Sequence, residues 1–233
     1  MEQHPYTIIK RPTTLILLWG LVLEFPVRYW VAPDPWVHGA DHWYFAQPNR
    51  LFIEIGFALL AILPFFWVKE LKSLLTIQWT KGNVMFLTLG MLGATLIFTM
   101  QQSEEITTIQ QSGLGRYIPI WFSTGMAIGI GQELTFRGLI YTGLEKPYGT
   151  TLAILLSTLC FALGSIHSVR MYVYLINDYV FETLLLLSIF ILTGLFFAWV
   201  RAKTNNIIIP ALIHGVGNAI TWYTFVIMKL YVG

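Results

Sequence analysis

A chain of 233 residues that is 56% hydrophobic, 15% aromatic and only 11% charged cannot cover itself with the charged surface of a soluble domain of its size. With a mean hydropathy of +0.65, its solvent is expected to be lipid and its fold class all-α, a polytopic membrane protein in contact with a lipid bilayer. The formal net charge of +2 gives no sign of a nucleic-acid partner, and the single cysteine, Cys160, excludes an intramolecular disulfide and reads as an inert packed thiol.

A bilayer core about 30 Å thick needs about 20 helical residues. The first apolar run, "TLILLWGLVLEF", follows Lys10 and Arg11 and has no small-residue cleavage site after it, so it is expected to remain as the first span. Suitable runs lie at 13–31, 50–68, 83–100, 117–143, 151–176, 180–200 and 207–231. This predicts seven transmembrane helices, or eight if the fifth run breaks near Arg170. The connection "VAPDPWVHGADHWYFAQPNR" is rich in Trp and Tyr, as an interfacial segment should be. Its Asp34, His38, Asp41 and His42 are metal-ligating types, but Pro33 and Pro35 favour an irregular loop. Lys10, Arg11, Lys69, Lys72, Lys81, Lys146, Arg201 and Lys203 fall on one side of this map, against Arg28, Arg50, Arg116, Arg170 and Lys229 on the other. That bias predicts a cytoplasmic N-terminus in a plasma or inner membrane. With no internal repeat, one membrane domain over 1–233 is expected, its spans in 1–116 carrying no motif and its core over 117–231.

Ionisable groups at membrane depth cost several kcal/mol and usually face the bundle interior or a wet cavity. Glu24 and Arg28, at i,i+4 in the first span, are expected to form an ion pair along one helix face. Glu54, near a span end, is expected to snorkel toward the interface. In "GQELTFRG" of the fourth span, Glu133 and Arg137 share a helix face, and Gly125, Gly129, Gly131 and Gly138 allow neighbouring helices to approach. The fifth run holds Ser157, Ser165, His167 and Arg170, and "PALIHGVGN" in the seventh puts His214 and Asn218 on one face. The bland reading is an ion pair and an interhelical hydrogen bond that hold helices together.

The sharper reading is convergence on one cavity. A carboxylate and a histidine together deprotonate a water, a second histidine and an amide donate to a developing oxyanion, and Arg137 holds Glu133 ionised. That is peptide-bond hydrolysis with no covalent nucleophile and no cofactor. A zinc ion held by Glu133, His167 and His214 reaches the same reaction class by another route.

At these residues the chain resembles the CAAX-protease and bacteriocin-processing (CPBP) family of glutamic intramembrane proteases. The family's Glu-Glu-x-x-x-Arg motif corresponds to "QELTFRG", Gln132 to Gly138; its Phe-x-x-x-His motif to the stretch from Phe161 to His167; and its His-x-x-x-Asn motif to "PALIHGVGN". The resemblance covers about residues 117–225. It implies a CAAX-protease-like core in the C-terminal half and an intramembrane endopeptidase acting on a membrane-anchored peptide or protein. Glu133 with His167 would then activate water, His214 and Asn218 would hold the oxyanion, and Arg137 would orient the carboxylate. Family members process prenylated proteins, peptide pheromones or bacteriocin-related peptides, and some are linked to self-immunity.

Two departures stand out. Gln132 occupies the place of the family's first glutamate, and an amide cannot take a proton at neutral pH. Counting four from Phe161 reaches Ser165, and His167 lies two residues later, which calls for a helix irregularity near Gly164. Three explanations of Gln132 stand side by side: a divergent active enzyme using Glu133, an engineered Glu→Gln change, or a catalytically silent protein that binds a peptide or confers immunity. A transporter would require two similar halves with discontinuous helices, and the sequence has none.

Overall fold

The computed structural model describes residues 11–31, 42–46 and 48–232, and these are mostly helical, with no strand among the described residues. Five helices are long and apolar enough to cross a bilayer: α1 (Pro12–Val31), α2 (Asn49–Trp67), α3 (Lys81–Gln101), α8 (Val180–Thr204) and α9 (Ile208–Val232). Between α3 and α8 lie a short polar helix α4 (Ser103–Gln111), then α5 (Ile118–Glu133), a widened turn at Leu134–Ile140, α6 (Tyr141–Ala162) and α7 (Ser165–Ile176). Leu114–Ile176 counts as a sixth crossing when its bent halves are taken together.

Length and apolarity therefore give five or six spans, fewer than the seven to eight expected. The difference lies in the segment 114–176, read from sequence as two separate runs. It does contain a reversal: Gly149 has φ 82° and ψ 166°, a backbone state a side chain disfavours. The rings of Phe136 and Phe161 meet 5.3 Å apart, whereas 25 residues of continuous helix would separate them by about 37 Å. Pro147 and Gly149 thus fold this segment into two antiparallel legs.

The most intimate seam joins α5 to α9. A Cβ on Gly125 would lie 2.5 Å from the Asn218 carbonyl oxygen, and one on Gly129 would lie 2.7 Å from Gly215 Cα. Glycines four apart on α5 face Gly215 and Ala219, also four apart on α9, so the two backbones touch. The α9 helix is mostly buried while α3 is mostly lipid-facing, which places the core around α9. Apolar side chains such as Leu15, Leu59, Leu89, Leu96, Leu184 and Leu192 stand on the outer surface, as lipid solvation permits.

Glu54 does not snorkel. It is fully buried, with Arg28 Nη1 at 2.8 Å and Arg50 Nη2 at 2.7 Å from its two oxygens. A carboxylate flanked by two guanidiniums is held at depth rather than drawn to the interface. The expected pair is present, with Arg28 Nε 3.2 Å from Glu24 Oε2.

Candidate functional site

The α5–α9 seam ends where the chain's polar residues meet. Glu133, the last residue of α5, is fully buried, and its Oε1 lies 2.8 Å from His214 Nδ1 and 3.1 Å from Arg137 Nη1. Its Oε2 is buried and has no hydrogen-bond partner. One turn along α9, Asn218 Nδ2 donates to Gln132 Oε1 at 3.3 Å. Just beyond Glu133 the helix widens over Leu134–Ile140, a deformation that recurs at functional sites. The i,i+4 pairing of Glu133 with Arg137 survives it. Arg137 also donates through Nη2 to the Gly194 carbonyl at 2.9 Å and lies over the Phe161 ring at 4.4 Å.

His167 reaches this region through a helix break. The α6 helix ends at Ala162, and α7 begins at Ser165, bent by 54° from what precedes it. His167 is the third residue of α7, and its Nδ1 lies 2.6 Å from the Phe161 carbonyl oxygen, a bond that spans the break. A carbonyl only accepts, so Nδ1 carries the proton and Nε2 keeps its lone pair. The Phe161 ring lies 4.5 Å from the His167 ring and 5.7 Å from the His214 ring. The irregularity called for near Gly164 is thus a full break. It brings His167 beside the cluster, and it gives Ser165 a different task, donating through Oγ to Glu24 at 3.2 Å.

The structure therefore brings Gln132, Glu133, Arg137, His214 and Asn218 together, with His167 adjoining through Phe161. It pairs Glu133 with His214 rather than with His167. Among the described residues, no group of three His, Cys, Asp or Glu is placed to share a metal ion. Of the loop residues considered for metal, Asp34, His38 and Asp41 lie outside the described residues.

One wall of the site was not foreseen. On α8, Phe190 stacks on His167 at 4.0 Å and Phe197 stacks on His214 at 4.7 Å, and Gly194 between them offers its carbonyl to Arg137. Two phenylalanines seven apart with a glycine between them lie on one helix face, and that spacing was visible in the sequence. Histidine faces covered by rings are shielded from water and fixed in orientation.

Residues 114–220 match the family described as type II CAAX prenyl endopeptidase, Rce1-like. No curated protein and no solved structure matches the chain.

Proposed function

Because this integral membrane chain carries an Rce1-like, CAAX-protease-type domain in its C-terminal half, consistent with the CPBP family, we propose that it is an intramembrane endopeptidase that activates water with Glu133 and a histidine. The observation that carries this reading is the 2.8 Å bond between Glu133 Oε1 and His214 Nδ1, with Glu133 Oε2 left unpaired. A carboxylate accepting from Nδ1–H fixes the imidazole tautomer and leaves Nε2 as the proton acceptor. Water loses its proton to His214 Nε2 as its oxygen attacks the scissile carbonyl carbon. Glu133 stabilises the imidazolium, and Arg137 fixes the Glu133 carboxylate in place. The imidazolium then protonates the leaving nitrogen, and the C–N bond breaks. His167, with its Nε2 lone pair free of the Phe161 bond, stands as the second imidazole. Because the Asn218 amide donates to Gln132 Oε1, the Gln132 amide NH₂ is left to face the oxyanion. In this role Gln132 is a donor and not a base. The substrate is a membrane-anchored peptide or protein, and the basic residues of the sequence favour a cytoplasmic N-terminus in a plasma or inner membrane.

A second reading rests on the same amide pair. Gln132 in the place of the family's first glutamate, closed onto Asn218, suits a silent protein that binds a peptide. The two readings are separated by reconstituting the chain in proteoliposomes with a library of membrane-anchored peptides and comparing it with His214→Ala and Gln132→Glu. The unaltered chain is expected to cleave, and His214→Ala to lose about 10²–10⁴-fold in kcat. Cleavage confined to Gln132→Glu would establish the silent reading, and no cleavage by any variant would overturn the endopeptidase.

A further inference from the structure

Resting on the reading of His167 as a site residue, we infer that Glu24, from the half of the chain that carries no motif, is a positioning residue: its carboxylate caps the helix that bears His167.

The α7 helix opens with Gly164 as its N-cap, a residue with no side chain to receive the first-turn N–H groups. Glu24, 141 residues earlier, supplies the acceptor. Its Oε1 receives the Ser165 backbone N–H at 3.3 Å and the Ser165 Oγ–H at 3.2 Å. A carboxylate at a helix N-terminus also complements the helix dipole. The fit is close: a Cβ on residue 164 would stand 3.0 Å from Glu24 Oε1 and 3.0 Å from Phe136 Cζ. His167 sits in the turn that this cap closes.

The carboxylate is itself held. Its Oε2 lies 3.2 Å from Arg28 Nε, Arg28 Nη1 bonds Glu54 at 2.8 Å, and Arg50 Nη2 meets Glu54 at 2.7 Å, with all four side chains at most 1% exposed. The Arg50 guanidinium lies 5.1 Å from the centre of the Trp222 ring on α9, about two turns beyond His214. The ladder thus braces both histidine-bearing helices from α1 and α2. Buried ion pairs add little net stability compared with apolar packing of the same volume. Four charges at membrane depth are therefore better accounted for by what they orient than by what they stabilise. Glu24 touches no reacting atom; it acts through Ser165 and the first turn of α7.

The test combines amide hydrogen exchange with kinetics on the full chain in proteoliposomes. Glu24→Ala is expected to speed exchange of Ser165 and of Ser168–Met171 by about tenfold, with α5 unchanged. On a cleaved peptide it should lower kcat about 10–100-fold with little change in KM. Ser165→Ala should move both readouts the same way, and Ser165→Thr, which keeps the hydroxyl, should restore them. The Ser165 pair decides the matter if Glu24→Ala does not fold. Unchanged exchange in Glu24→Ala or Ser165→Ala overturns the cap, as does a loss of activity that Ser165→Thr does not rescue. Failure of the unaltered chain to cleave would sink the endopeptidase reading alone, because exchange still judges the cap.

Discussion

Two groups of buried charge lie in this bundle, and they are built differently. In the ladder of Glu24, Arg28, Glu54 and Arg50, every carboxylate oxygen has a guanidinium nitrogen or another donor within 3.3 Å. In the cluster of Glu133, Arg137 and His214, both partners crowd one oxygen of Glu133, and the other has no hydrogen-bond partner. A set in which each carboxylate oxygen already faces a cation or another donor has little to offer a substrate. An open set keeps a lone pair in reserve in a dry site, where that costs stability and is characteristic of reactive centres.

The contrast can be broken by substitutions that touch one set at a time. Glu133→Gln keeps the shape of the side chain and removes its charge; kcat for peptide cleavage is expected to fall about 10²–10⁴-fold, measured on reconstituted protein. A variant that retains full activity would reduce the open oxygen to a packing accident. Arg28→Ala should show the opposite pattern. It leaves Glu24 without its cation in the core and takes one of two guanidiniums from Glu54, and is expected to cost about 3–5 kcal/mol, seen as an early thermal unfolding transition in detergent. If that variant unfolds like the parent, the ladder is not a closed electrostatic unit. Smallest is Gly129→Ala, which sets a methyl against Gly215 and should cost about 1–3 kcal/mol by forcing α5 from α9. Because that shift also moves Glu133 from His214, activity should drop by more than the lost stability explains.

Local signals in the sequence carried much of this. Apolar runs at 13–31, 50–68, 83–100, 180–200 and 207–231 coincide with five crossings, and the reversal at Pro147 and Gly149 falls in the gap between the runs at 117–143 and 151–176. The i,i+4 spacings of Glu24 with Arg28, Glu133 with Arg137, and His214 with Asn218 placed each pair on one face without reference to the fold. What lay hidden was tertiary. Glu54 read as an interfacial residue because nothing nearby in sequence announced Arg28, 26 positions away, as its partner. The pairing of Glu133 with His214 instead of His167 depends on helix rotation about the glycine seam, which spacing does not encode. The break before Ser165 was foreshadowed only by the misfit of His167 with a continuous helix, and the acceptor that makes the break tolerable comes from α1.

The glycine seam has a mechanical consequence. Where two backbones rest directly on each other, no side chain remains between them to swing aside, and α5 and α9 must travel as a single stiff strut. Room for an incoming polypeptide has to be made elsewhere on the perimeter, where α8 meets the histidines through ring faces that slide and tilt cheaply.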